Sequence, residues 1–431
     1  MSEPFDFWDR SPENLDSRLA FIVETMREMS LQTDPQALVH AYAKRMRRVV
    51  PADGSLSLSR RDLEYPQYRI TRSHLHAAGH NPWTMKDHNP LFDGGILAEL
   101  IYSDEPHIIN DFHPAPSDPA YEYLKDQRSL TAIPLFDYGK ALNMVVVMNQ
   151  RPHSFFPERL PEHVWMSNLF GRAAHNLVLA TQLREAYDSI DGELKVVENI
   201  QRSLLPIELP DIPTLDLAAH YQTSRRAGGD YYDFFPLPNG QWGILIADVS
   251  GHGTPAAVLM AITHSIAHTH DGPPTPPSVL MSFINRHLAG RYTGQGSFVT
   301  AFYGIYDPPT RTITYASAGH PPPRIKRCST GELLCFDQSQ CLPLGIDADE
   351  AYHDCSGMLV PGDFMVLYTD GITEARRQDG ELFGTDRLDD IVATCPSNAA
   401  ALIGTLLQAV EHFTGHASPT DDRTILIARV K

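Results

Sequence analysis

Four short stretches in the C-terminal half of the chain could do chemistry: Gly228-Gly229-Asp230-Tyr231-Tyr232-Asp233, Ile244-Leu245-Ile246-Ala247-Asp248-Val249-Ser250-Gly251-His252-Gly253, Val366-Leu367-Tyr368-Thr369-Asp370-Gly371 and Asp421-Asp422-Arg423-Thr424. Each places an aspartate at or just beyond the end of an apolar run with strand character. Three of the four set it against glycine, where backbone can approach closely, on the kind of turn that carries polar groups at the rim of a rigid scaffold. Ligand sets rich in oxygen and free of cysteine select hard cations such as magnesium or manganese. Any one of these stretches alone reads as a turn; four together read as a metal site. His264 and His268 are also spaced to chelate from one helix face, but they lack the intervening glutamate of a metalloprotease pair, and in a chain with 20 histidines the spacing reads as coincidence.

The elements that must position these aspartates are mostly strands, expected at residues 215–221, 231–236, 242–249, 297–306, 312–318, 364–369 and 424–430, with helices at 254–270, 277–291 and 398–414. Strand runs with helix pairs interposed imply an antiparallel sandwich flanked by helices. The proline-rich residues 271–277 and Pro321-Pro322-Pro323 read as stiff loops.

At these residues the chain resembles the metal-dependent protein phosphatases (PPM family), in their bacterial SpoIIE-like and RsbU-like branch. The resemblance covers about residues 200–431 and also takes in Gln201-Arg202-Ser203-Leu204-Leu205-Pro206, Ser317-Ala318-Gly319-His320-Pro321-Pro322 and Leu342-Pro343-Leu344-Gly345. It implies two divalent cations, Mn2+ or Mg2+, held by Asp230, Asp248 with the Val249 main-chain carbonyl, Asp370 and Asp421. Asp248 is expected to bridge the pair, and Asp248 and Asp370 are the expected catalytic residues. Asp233 and Asp422 are neighbours without an assigned role. A phosphoserine or phosphothreonine ester repels anionic nucleophiles, and a cation pair answers this by acidifying water, neutralising the phosphoryl oxygens and aligning an in-line displacement. Two departures stand out. Eukaryotic relatives carry a proton-donating histidine two residues after the bridging aspartate, whereas His252 stands four after Asp248. Arg225 and Arg226 lie where those relatives place a phosphate-binding arginine, and either could instead be solvated.

The N-terminal part has a different pattern. Leu19, Ile22, Val23, Met26 and Met29 recur with helical spacing and imply one buried helix face. A second helix starts at Asp34 as N-cap with Pro35 in the first turn, and Leu38, Tyr42, Met46 and Val49 form its stripe. Lys44, Arg45, Arg47 and Arg48 near its end complement the helix dipole. Alternating runs at 55–59 and 68–75 read as strands, and residues 129–136 and 141–149 as a hairpin across Asp137-Tyr138-Gly139-Lys140. With a helical segment at 95–101 and the run His107-Ile108-Ile109-Asn110-Asp111-Phe112, the layout over about residues 16–182 resembles a GAF domain. Between 179 and 205 a helix carries Leu183, Ile190, Val197 and Leu204 at seven-residue spacing, with Leu179, Ala186 and Ile200 between them. That is the seam of a short two-stranded coiled coil, weakened at Gly192 and Glu193.

The expected class is therefore α+β: a polar tail at 1–15, a GAF-like α/β sensory domain at 16–178, a coiled-coil signalling helix at 179–206 and a PPM-type β-sandwich flanked by helices at 207–431. The chain has 431 residues, room for two to three domains, with 42% apolar and 20% charged side chains as in ordinary globular proteins. A net charge of −18 disfavours nucleic acid and anionic lipid as partners. Apolar runs such as 144–148 and 256–262 fall short of a bilayer span, and the acidic N-terminus lacks the look of a secretory leader. Cys328, Cys335, Cys341, Cys355 and Cys395 show no framework and are expected as reduced thiols in a cytoplasmic protein.

The resulting expectation is a serine/threonine protein phosphatase, dimeric through its linker helix. Its resemblance implies a phosphorylated anti-anti-sigma factor as substrate, in a partner-switching pathway. The input to the sensory domain is open between a small-molecule ligand, another protein and none. Two alternatives are a catalytically silent partner-binding sensor and a metal-dependent phosphodiesterase; four intact aspartates oppose the first and the acidic charge the second.

Overall fold

The computed structural model describes residues 6–75, 81–83, 89–273, 276–293 and 296–431. The chain divides into two compact units, Met1–Tyr187 and Asp188–Lys431.

The first unit begins with α1 (Leu15–Ser30) and α2 (Pro35–Val49), followed by β1 (Gly54–Ser59), β2 (Gln67–Ser73), β3 (Leu91–Asp93), α3 (Ile96–Tyr102), β4 (His107–Ile109), α4 (Tyr121–Leu124), β5 (Ser129–Asp137) and β6 (Lys140–Asn149). The strands form one antiparallel sheet in the order β3-β2-β1-β6-β5-β4. Leu56, Leu58, Leu130, Met144, Val146 and Met148 from its centre share a buried cluster with Leu97, Leu100 and Ile101 of α3. The β5–β6 hairpin turns through Tyr138 and Gly139, with φ of 50° and 79°, the left-handed pair a tight two-residue turn requires. The Asp34 cap forms as expected, its carboxylate accepting from the Ala37 N–H at 2.6 Å.

The apolar stripe of α1 departs from expectation. Leu19, Ile22, Val23 and Met26 are 40–56% exposed instead of buried. Helix α1 meets α2 through its polar edge, where Arg45 pairs with Glu24 at 3.0 Å and Glu28 at 2.6 Å. Periodicity identifies an apolar stripe but cannot say what covers it.

Helix α5 (Leu160–Leu204) starts well before the expected residue 179 and runs unbroken through Gly192. The second unit then contains β7 (Leu215–Gln222), β8 (Tyr231–Pro236), β9 (Trp242–Val249), α6 (Thr254–His268), α7 (Pro277–Leu288), β10 (Val299–Asp307), β11 (Thr312–Ala318), β12 (Arg324–Arg327), β13 (Glu332–Cys335), β14 (Gln340–Cys341), β15 (Cys355–Met358), β16 (Phe364–Tyr368), α8 (Asp370–Thr373), α9 (Gly384–Val392), α10 (Ala399–Thr414) and β17 (Arg423–Val430). Short strands β12 to β15 and helix α9 carry too few periodic residues to stand out in the sequence.

One sheet runs β14-β11-β10-β9-β8, with β15 beside β11, and the other β13-β12-β16-β17-β7. Their facing sides share one core, in which Met365, Leu367, Leu426 and Ala428 meet Ile244, Ile246, Phe302 and Tyr315. The alternate residues Phe364, Val366, Tyr368, Ile425 and Ile427 pack instead against Leu388 of α9 and Leu402 and Leu406 of α10. Burial on both faces explains why β16 and β17 read as continuous apolar runs. Cys328, just past β12, and Cys395, between α9 and α10, are joined by a disulfide with Cα atoms 6.0 Å apart, correcting the expectation of five free thiols. Strand and helix loops 67 residues apart in sequence meet only in the fold. Cys335, Cys341 and Cys355 are free.

Candidate active site

The sandwich converges its strand ends on the four acidic stretches. Asp230 lies just ahead of β8 and is 1% exposed. Its Oδ2 accepts from Thr369 Oγ1 at 2.8 Å and Thr424 Oγ1 at 2.6 Å, both on the opposite sheet's strand ends. Its Oδ1 is buried with no hydrogen-bond partner. Asp248 sits near the end of β9, opposite Thr300 of β10. Asp370 opens α8, and Asp421 precedes β17, its Oδ1 accepting from the Asp422 N–H at 2.9 Å.

These groups act on one another electrostatically. Burial above all, then the charges of Asp230, Asp370 and Asp421, pushes the proton affinity of Asp248 far above the carboxylate range. Asp230 moves the same way through burial. Asp370 is raised to about 6 by burial and then by Asp421 and Glu374, and Asp421 is raised by burial. Among the described residues none of the four aspartates has an ion pair with lysine or arginine. A nest of desolvated, mutually repelling carboxylates, one presenting an unpartnered oxygen, fits a divalent cation.

The neighbours left unassigned from sequence separate cleanly. Asp422 is saturated by the loop before β8: it accepts from Ser224 N–H at 2.7 Å, Ser224 Oγ at 3.1 Å and Gly229 N–H at 2.6 Å. It holds that loop in place. A Cβ on Gly371 would come within 1.9 Å of the Asp422 carbonyl, so this crossing admits only glycine. A Cβ on Gly229 would sit 2.9 Å from the Val249 carbonyl oxygen, which places that oxygen beside the Asp230 loop. Asp233 projects from the other face of β8, where Tyr231 Oη donates to it at 2.6 Å and His268 Nε2 lies at 2.7 Å.

His252 is exposed, and its charge lowers the proton affinity of Asp421. Arg226 pairs with Asp191 at 2.9 Å and Glu198 at 3.7 Å, whereas the exposed Arg225 runs 4.0 Å from where a Gly253 Cβ would stand. Three residues are not evident from the sequence. Thr369 and Thr424 flank aspartates already singled out, and Glu374 lies one helical turn past Asp370, the i,i+4 spacing being the available signal. Gln201 of α5, 4% exposed, clamps the loop from the other side: its Nε2 donates to Gly228 O at 2.6 Å and its Oε1 accepts from Gly228 N–H at 3.0 Å.

Comparison with known proteins places this architecture. The PP2C domain of SiaA from Pseudomonas aeruginosa superposes with a TM-score of 0.50 at 20% identity, over 57% of this chain and 99% of that domain, so the fold is of PP2C type. The family profile described as stage II sporulation protein E (SpoIIE) matches residues 238–431. Phosphoserine phosphatase RsbU of Bacillus subtilis (strain 168) is 31% identical over 256 residues, 58% of this chain and 73% of RsbU. Phosphoserine phosphatase RsbP of the same organism is 24% identical over 243 residues, covering 56% of this chain and 58% of RsbP. The chain belongs to the SpoIIE/RsbU family of serine/threonine protein phosphatases. Among the described residues no helix is long and apolar enough to cross a membrane.

Proposed function

We propose that this phosphatase works with two divalent cations, Mn2+ or Mg2+, held by Asp230, Asp248, the Val249 carbonyl, Asp370 and Asp421, with Asp248 bridging and Asp248 and Asp370 as catalytic residues. The observation carrying this reading is a set of four aspartates, Asp230 buried and the others half-buried, that has no lysine or arginine ion pair among the described residues, with Asp230 Oδ1 unpartnered. When bound, such a pair supplies Lewis acidity toward water and the phosphoryl group. The chain's own residues do the positioning. Thr369 and Thr424 fix one oxygen of Asp230 and so orient the other; Asp422 holds the glycine loop that carries it. Arg225, beside the Gly251-His252-Gly253 turn and free of the carboxylates that engage Arg226, is the better placed of the two arginines to meet a phosphate.

The substrate class we infer is a phosphorylated anti-anti-sigma factor in a partner-switching pathway, in the cytoplasm, on the strength of the family. Regulation comes from a GAF-like sensory domain at 16–178 through the signalling helix at 179–206 to the phosphatase domain at 207–431, behind a polar tail at 1–15. The six-stranded sheet with its α3 cover supports the sensory reading, and a small-molecule ligand is the candidate input. Leu179, Leu183, Ile190 and Ile200 are 49–58% exposed in the single chain, which supports a homodimer through that helix. The clamp of Gln201 on Gly228 supplies a path from helix to site, because Gly228 stands two residues from Asp230.

The test is phosphate release from a phosphoserine-bearing anti-anti-sigma protein by the full chain with Mn2+, against Asp248→Asn and Asp370→Asn. Release that survives both substitutions, or preference for a cyclic dinucleotide, would overturn the reading.

A further inference from the structure

The cluster on the opposite face of β8 has no role in the site above. Strand alternation turns Asp230 toward the second sheet, and its threonine partners lie there; Tyr231, Asp233 and Phe235 face α6 instead, where Tyr231 stacks edge-on against His264 at 5.5 Å and Phe235 lies 5.0 Å from His268. On α6 the two histidines are one turn apart, with ring centroids separated by 4.4 Å. Sequence spacing alone supplied two imidazoles. The fold adds a carboxylate: one ligand atom each from Asp233, His264 and His268 lies within 4.8 Å of the others.

We propose that Asp233, His264 and His268 form a second metal site, separate from the acid cluster, that takes a borderline divalent ion of the zinc type. Two imidazoles and one carboxylate are the ligand chemistry such ions prefer over magnesium or manganese, whose sites are built from oxygen. Zinc bonds to such atoms are about 2.0–2.2 Å long, so a single ion can span ligand atoms that lie within 4.8 Å of one another. The carboxylate is already oriented, because Tyr231 Oη donates to Oδ2 at 2.6 Å and Phe234 N–H to Oδ1 at 2.7 Å, and neither donor is itself a ligand. Asp233 is 8% exposed whereas the His268 side chain is 44% exposed, which gives the ion an entry path and leaves water its fourth position. The ion would take the place of the hydrogen bond between His268 Nε2 and Asp233 Oδ2, now 2.7 Å apart, with the Nε2 proton released to solvent and the ring left neutral with its proton on Nδ1. It would tie the middle of β8, three residues from Asp230, to the last turns of α6, whose first turn follows the Gly251-His252-Gly253 loop.

The experiment is Zn2+ titration of the full chain by calorimetry in excess Mg2+, which occupies oxygen sites, repeated with Co2+ and read by its visible absorption. One equivalent of Zn2+ and a four-coordinate Co2+ spectrum are expected. Affinity should fall at least about tenfold in H264Q and in H268Q, while Mn2+-dependent turnover without zinc stays at the wild-type level. The exposed His268 makes H268Q the variant least able to disturb folding. Equal zinc stoichiometry and affinity in wild type and the H264Q/H268Q double variant would overturn the proposal, as would a six-coordinate Co2+ spectrum unchanged by the substitutions.

Discussion

Each unit of the molecule buries acid at the end of a strand, and the two treat it in opposite ways. In the N-terminal unit Asp137, at the end of β5, is 6% exposed and meets Arg61 at 2.5 Å, Arg172 at 2.8 Å and His175 at 3.7 Å. The Arg61 hydrogen bond above all holds its carboxyl below the usual range. In the C-terminal unit, Asp230, Asp248, Asp370 and Asp421 have no such partners among the described residues, and their proton affinities move up. A carboxylate that serves structure has its counter-charge built into the chain. Carboxylates set among one another without such a counter-charge leave the fold to carry their desolvation and repulsion.

The sharpest break of this contrast is Asp248→Asn. It should reduce Mn2+-dependent phosphate release by about a thousandfold, the scale of losing several kcal/mol of charge stabilisation. The same substitution should raise the thermal midpoint of the metal-free protein by about 2–4 °C, as relief of roughly 1 kcal/mol of repulsion would. A fall in that midpoint would mean that the aspartate is structural.

Gln201→Ala removes two hydrogen bonds from the loop before Asp230 without touching the acid cluster. The Mn2+ concentration for half-maximal activity should rise about fivefold to tenfold, with little change in global stability. Substitutions at Ile190 or Val197 should shift basal activity in the same assay; unchanged turnover and unchanged dimerisation would count against transmission through the helix.

Acidity distinguishes the two kinds of carboxylate by sign. Asp137, with its folded pKa lowered, contributes stability that is present above the ordinary carboxylate range and lost on acidification. Asp370, raised to about 6 in the metal-free fold, contributes stability below that range, lost as pH rises through about 6. Chelator-treated protein should therefore unfold more readily at pH 8 than at pH 5.5, and Mn2+ should remove the difference. The smallest expected effect is Asp137→Asn, about 1 kcal/mol less stable by denaturant titration because its arginine partners are half exposed, with phosphatase activity preserved.

Much of the site was legible because it is written locally. An apolar run, then an aspartate, then a glycine is visible within ten residues around Asp248 and Asp370, and the fold sets these two, with Asp230 and Asp421, at strand ends of the two facing sheets. The capped start of α2 and the β5–β6 hairpin were equally local. Residues whose meaning depends on a distant partner were not legible. Thr369 and Thr424 matter because Asp230 lies between them; Asp422 and Gly371 matter because their backbones cross. The apolar stripe of α1 was visible, but its exposure was not.

The type, order and spacing of the acidic turns, and the alternation that makes strands, belong to the amino-acid sequence alone, since both follow from neighbours along the chain. Tertiary structure alone decided that those acids have no arginine or lysine ion pair among the described residues, that Cys328 reaches Cys395, and that Asp233 turns away from Asp230 to join two histidines. Those are matters of closure between segments far apart in sequence, settled only when the sheets pack.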